Sequence, residues 1–379
     1  MFELFPGNYV WNLSINIALN SGAQLNELVD ACRPIIPLAT SGDAGTEAYL
    51  AAFEGLGDRI SELAAEDLAN GRTLSAATKY ERAATYYITG ERMQRVGYEP
   101  RVAVYQKMLD AFALFMKYGE QPVERVEIAF DGSSFPALFY RAPNAGPKTP
   151  VIVHFNGLDS TKEMMWGSPL RIEFAKRGIS TLMVDHPGTG EALRLRGQKA
   201  IVESERWGSA CIDYLETRDD VDLERIGILG WSLGGYYAPR AAAFEKRFAL
   251  CVAMGANYNW GELQAKRAKR EGENPVPHYW EHVEWVWGKP TFEEFMRFAP
   301  QVSLEGVVEQ ITVPLLVTHG ANDRQIPLEY AHQQFDAAIN SPKRELHIFT
   351  EREGGVEHVG GDNILPAASF IPDWVAESF

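Results

Sequence analysis

The chain has 379 residues, a formal charge of −15 and a pI near 5.1, with no basic run; this argues against nucleic acid or an anionic membrane as the main partner, because both need clustered Lys and Arg. Hydrophobic residues make up 46% and charged residues 23%, which excludes disorder over most of the length. The three cysteines, Cys32, Cys211 and Cys251, are sparse and lack CxxC or Cys/His metal spacing, so neither a disulfide framework nor a metal site is expected.

The first twenty or so residues are fairly apolar, but they lack a basic leader and carry Pro, Gly and several Asn. They read as neither a signal peptide nor a membrane span, and a cytoplasmic location is expected. From about residue 20 to 118 the pattern is helical. One helix covers 58–70 and closes on Gly71, a second runs from Thr73 through Glu91, and a third follows Pro100. In the third, Val104, Met108, Phe112 and Phe115 recur at helical spacing, a stripe that reads as core. A helical accessory region over residues 1–120 follows, and the catalytic domain is expected over 121–379.

At Pro122 the period changes. Residues 124–130, the Asp131-Gly132 pair and residues 135–141 read as a strand–turn–strand hairpin. Short apolar runs at 151–155, 179–184, 225–229, 249–254, 314–319 and 345–349 then alternate with helical segments. Buried runs of this length predict a mostly parallel sheet with helices on both faces. Between Ala256 and Pro300 the alternation breaks into a stretch rich in Trp, Tyr and Phe, too long for a plain loop. It reads as a helical cap inserted over about 257–305, with some aromatics packing the cap and others lining an apolar pocket.

The chemistry concentrates in Gly230-Trp231-Ser232-Leu233-Gly234-Gly235, a G-x-S-x-G pattern between a strand and a helix-compatible run. Flanking glycines permit the tight turn that lifts a serine oxygen clear of the sheet, and the α/β-hydrolase fold follows from that context. A serine hydroxyl needs a base, and chain order in this fold runs Ser, acid, His. Asp323 follows the strand 314–319 and His358 ends a Gly-rich loop after 345–349, so both leave carboxyl ends of strands on the edge that carries Ser232. His347 lies inside a strand, His319 precedes the acid, and His154, His186, His278, His282 and His332 occupy structural positions. The expected oxyanion donors are the N–H of Leu233 and, in the turn Asn156-Gly157-Leu158-Asp159, the N–H of Leu158. Asp185-His-Pro-Gly-Thr-Gly-Glu191 reads as structural turn chemistry, because its glycines lack phosphate-loop spacing. No nucleotide, metal or other cofactor is implied.

These motifs, together with Gly157-Leu-Asp-Ser-Thr-Lys-Glu163 and His319-Gly-Ala-Asn-Asp323, resemble those of 2,6-dihydroxypseudooxynicotine hydrolase and the fungal yellowish-green pigment hydrolases that shorten polyketides. The resemblance covers most of residues 75–379. It implies hydrolysis of a carbon–carbon bond beside a ketone on an aromatic or polyketide-like small molecule, by a homodimer. It also implies an additional acid, and Glu262 is the matching position. Around His358 the chain reads Gly-Gly-Val-Glu-His-Val-Gly-Gly-Asp-Asn, longer than the Gly-Asp-His form of that branch. An ester or lactone hydrolase would use the same triad. A hydrolase-fold binding or regulatory protein would have no need of it.

Overall fold

The computed structural model describes residues 1–40, 42–143 and 145–379. Two compact units emerge: Met1–Gln121 with Trp166–Ser168 and Asn274–His282, and the remainder from Pro122 onward.

The first unit is built from α1 (Tyr9–Asn20), α2 (Leu25–Cys32), α3 (Thr46–Ala69), α4 (Thr73–Glu91) and α5 (Glu99–Tyr118). Helix α1 was not read from the sequence, where its asparagines counted only as interruptions of an apolar run. They instead bind backbone: the Asn8 side chain caps the helix, Asn12 Oδ1 accepts from Leu4 N and Phe5 N, and Asn16 Oδ1 accepts from Phe2 N. Helix α3 starts well before residue 58. Its Gly57 lies against the Tyr87 ring, where a Cβ would come within 2.4 Å, so α3 and α4 approach closely.

The second unit centres on an eight-stranded sheet of order β1-β2-β4-β3-β5-β6-β7-β8, comprising β1 (Val123–Phe130), β2 (Ser133–Tyr140), β3 (Thr149–Phe155), β4 (Ser180–Val184), β5 (Val221–Trp231), β6 (Leu250–Met254), β7 (Leu315–Gly320) and β8 (Arg344–Phe349). Among the described residues of these strands, β1–β2 and β2–β4 pair antiparallel and the other neighbours parallel. Asp131 and Gly132 join the hairpin with φ of 48° and 75°, the left-handed pair that a two-residue turn needs. Strands β4, β6 and β7 are buried throughout, whereas the edge strands β1 and β8 are partly solvated. The connecting helices are α6 (Lys162–Gly167), α7 (Leu170–Lys176), α8 (Gly190–Arg194), α9 (Glu205–Glu216), α10 (Gly234–Phe244), α14 (Leu328–Ala337) and α15 (Leu365–Ser378). Between β6 and β7 lie α11 (Trp260–Ala268), α12 (Tyr279–Trp287) and α13 (Phe292–Phe298), which occupy the stretch read as a cap. Among the described residues, no helix is long and apolar enough to cross a membrane.

Close approach of backbones fixes the middle of the sheet. A Cβ on Gly235 would sit 2.0 Å from the Gly255 carbonyl oxygen, whereas one on Gly178, at φ 72°, would meet nothing within 4 Å. Gly178→Ala should therefore cost about 1 kcal/mol, through backbone strain alone. Gly235→Ala should cost at least about 3 kcal/mol, because two backbones must separate. Urea unfolding of both variants checks the ranking, and equal losses would show that the approach at Gly235 is not limiting.

Candidate active site

Ser232 follows the end of β5 with φ 56°, a left-handed conformation that is strained for a residue bearing Cβ. Its neighbours leave room for nothing larger than glycine: a Cβ on Gly230 would lie 2.1 Å from the Gly234 oxygen. The turn is held from β6 by Ser232 N, which donates to Met254 O at 2.8 Å, and by Asn257, whose side-chain amide donates to Ser232 O at 2.9 Å. Asn257 was missed in the sequence, where nothing distinguished it from a loop asparagine.

The structure brings Ser232, His358 and Asp323 together. His358 Nε2 lies 2.7 Å from Ser232 Oγ, and His358 Nδ1 lies 2.8 Å from Asp323 Oδ2. Asp323 Oδ1 accepts from Gln325 N and Ile326 N at 2.8 and 3.0 Å, which leaves Oδ2 for the histidine. Burial pushes the Asp323 carboxyl up, but the His358 charge and hydrogen bond, the nearby His319 and the Ile326 amide overcome this and hold it at about 2. His319, set aside in the sequence reading, stands behind Asp323. Its Nδ1 accepts from Ala256 N, so Nε2 carries the proton; Nε2 donates to Ile326 O at 3.0 Å and lies 3.6 Å from Asp323 Oδ2. Burial lowers the His319 pKa.

The long loop around His358 has its own scaffold. Asp362 accepts from the backbone N–H groups of Gly355, Val356 and Glu357. Glu357 accepts from Asn322 and Arg324, which ties the loop to the turn carrying Asp323. A Cβ on Gly320 would fall 2.3 Å from Val356 O, so the loop lies directly on the end of β7. Asp362 thus supplies an internal carboxylate acceptor for the turn before the histidine.

Leu233, directly after the elbow, occupies the N-cap of α10. Gly157 packs on Ser232, where a Cβ would lie 2.9 Å from Ser232 Cβ and 3.3 Å from Oγ, so the turn carrying Leu158 borders the serine. His154 and His186 are buried, and burial pushes their pKa values down to about 3 and about 4, so both are neutral imidazoles. His186 faces the carbonyls of Pro187 and Asn156. Among the described residues, no group of three or more His, Cys, Asp or Glu is placed to hold a metal ion.

The expectation for Glu262 must be corrected. Its side chain is 49% exposed, pairs with Lys266 at 2.9 Å and accepts from Tyr330 Oη at 2.8 Å. The Lys266 and Tyr330 hydrogen bonds lower its pKa, the reverse of what a proton donor near neutral pH needs. The cause is helix phase: Asn259 caps α11 by accepting from Glu262 N, and the buried face carries Trp260, Leu263, Gln264 and Arg267. Glu262 and Lys266 are left on the solvent side.

Residues 170–378 match the prolyl oligopeptidase family, and residues 58–264 match the FrsA-like esterases. The chain is 29% identical to 2,6-dihydropseudooxynicotine hydrolase of Paenarthrobacter nicotinovorans, over 76% of this chain and 72% of that one. It is 27% identical to 20-hydroxy-prefusarin hydrolase of Gibberella moniliformis, over 84% and 85% of the two chains. Among solved structures, that of 2,6-dihydroxy-pseudo-oxynicotine hydrolase superposes with a TM-score of 0.79 at 23% identity, covering 96% of this chain and 95% of that one. AbyA5 superposes with a TM-score of 0.64 at 16% identity, covering 96% and 98%. These likenesses establish the fold.

The depressed Asp323 carboxyl makes a pH prediction. A group whose folded pKa lies below its unfolded value contributes stability that is full above the unfolded pKa, about 4. That stability is lost as pH falls toward the folded value near 2. Asp323→Asn should therefore be roughly 2 kcal/mol less stable than the parent at pH 7. The gap should close between about pH 4 and pH 2. Denaturant unfolding across that range measures it; a gap independent of pH would contradict the assignment.

Proposed function

The chain belongs to the α/β-hydrolases, matching both the prolyl oligopeptidase and FrsA-like esterase families, and from that membership we propose that it is a serine hydrolase in which Ser232 is the nucleophile, His358 the base and Asp323 the acid. One observation carries the reading: an unbroken line of hydrogen bonds from Ser232 Oγ through the His358 ring to Asp323, with the serine at a left-handed elbow. In this reading Ser232 Oγ attacks a carbonyl carbon and gives its proton to His358 Nε2, while the carbonyl electrons move onto oxygen. The N–H groups of Leu233 and Leu158 stabilise that oxyanion, and Asp323 stabilises the imidazolium. Collapse expels the leaving group, and water then releases the acyl group from Ser232.

The bond we favour is a carbon–carbon bond beside a ketone in a bulky aromatic or polyketide-like small molecule. Support comes from the relatives named for 2,6-dihydropseudooxynicotine and 20-hydroxy-prefusarin, and from the aromatic segment between β6 and β7. A departing carbanion must be protonated. With Glu262 on the solvent side of α11, the imidazolium of His358, which already carries the serine proton, is the donor. The match to FrsA-like esterases favours a second reading, hydrolysis of an ester or lactone by the same three residues.

A product-resolved assay on β-diketones, aryl ketones, lactones and aryl esters separates the two. The favoured reading expects a carboxylic acid and a shortened ketone from a β-diketone, and a carboxylic acid and an arene from an aryl ketone; turnover of esters and lactones alone supports the second. Ser232→Ala should lower kcat by about 10⁶ on the true substrate, and retention of more than a few per cent of activity would overturn the nucleophile assignment. Glu262→Gln should leave kcat within about threefold, against the roughly 10² to 10⁴ loss expected of a general acid.

A further inference from the structure

A buried charge cluster lies behind the turn that carries Leu158. Lys162 Nζ is 2.7 Å from Glu163, 2.9 Å from Asp185 and 3.3 Å from Glu191, and the lysine side chain is 1% exposed. The other oxygen of Glu191 takes Arg125 and Arg196 at 2.8 and 2.9 Å. Burial works against the Lys162 charge, but the three carboxylates raise its pKa and keep the ammonium protonated. Apolar packing of the same volume would often serve stability as well as a buried ion pair does. The cluster therefore calls for an explanation in geometry.

Its geometry is specific. Asp185 Oδ1 accepts from both ends of the turn, Asn156 Nδ2 at 3.1 Å and Lys162 N at 2.7 Å. Asp185 Oδ2 accepts from Lys162 Nζ and from Glu191 N, each at 2.9 Å. Gly190, at φ 43°, is what admits this carboxylate, since a Cβ there would lie 2.0 Å from Asp185 Cγ. The middle of the turn is fixed by Ser160, whose Oγ accepts from Gly157 N and Trp231 Nε1 at 3.0 Å and donates to Asn156 Oδ1 at 2.7 Å. Trp231 immediately precedes the nucleophile.

We infer that Asp185, Lys162 and Ser160 are positioning residues for the oxyanion hole, in which a buried charge pair closes the turn 156–162 and Ser160 locks it to the elbow, so that the Leu158 N–H is aimed at the oxygen above Ser232. This rests on the serine hydrolase reading and extends it to the residues that set its second donor. The Asp-His-Pro-Gly-Thr-Gly-Glu motif then acts on catalysis at a distance, as the mould for one carboxylate.

The test is inactivation of the full chain by an alkyl fluorophosphonate, whose phosphoryl oxygen enters the hole as Ser232 attacks, with kinact and KI measured separately. Asp185→Asn keeps the acceptor for Asn156 Nδ2 and Lys162 N but sets an amide against Lys162 Nζ and Glu191 N. In folded protein, kinact should fall about 10²-fold, as a misplaced group does, with KI within twofold. Ser160→Ala, which leaves the charge cluster untouched, should lower kinact in the same way, and it decides the matter if the Asp185 variant does not fold. A folded variant with the kinact of the parent, or with its loss confined to KI, overturns the inference alone. A parent chain that takes no label at Ser232 overturns the serine hydrolase reading and this inference together.

Discussion

The site depends on holding one non-glycine residue, Ser232, at φ 56°. Such a conformation costs of order 1–3 kcal/mol and persists only where the surroundings over-determine it. Here the surroundings are backbone: Gly230 against Gly234 O, Gly235 against Gly255 O, and the amide of Ser232 on Met254 O. Because β5 and β6 are parallel neighbours with Trp231 opposite Met254, the sheet register itself fixes where the serine oxygen emerges. The acid and the histidine are then brought to it by β7 and by the loop after β8, which lies on Gly320.

Much of this was legible because it is local. Continuous apolar runs bounded by turn residues mark strands buried on both faces, and β4, β6 and β7 are such strands. The elbow could be read from glycine spacing, because close backbone approach leaves a signature in residue size. The order of Ser232, Asp323 and His358 along the chain placed all three on one edge, and the structure sets His358 within hydrogen-bond reach of each of the other two.

What could not be read depends on contacts between side chains and backbone that residue order does not mark. Asn12 and Asn16 interrupt an apolar run, and only in the structure do their side chains meet the backbone of residues 2–5. Glu262 was singled out by its matching position alone, which does not fix where its side chain points. Its direction depends on the cap at Asn259, which sets the helix phase, although Lys266 four residues on was a local hint of a solvent-side pair. The role of Asp362 was hidden for a similar reason, since its three amide donors sit in the preceding turn and nothing in the residue order marks them.

The central claim is that Ser232 is a nucleophile made reactive by His358. The most direct measurement is exposure of the chain to phenylmethylsulfonyl fluoride, followed by intact-mass analysis and peptide mapping. The account predicts a single sulfonyl group, on Ser232, and no modification of a His358→Ala variant over the same time. Label on another residue, or equal labelling of Ser232 without the histidine, would contradict it.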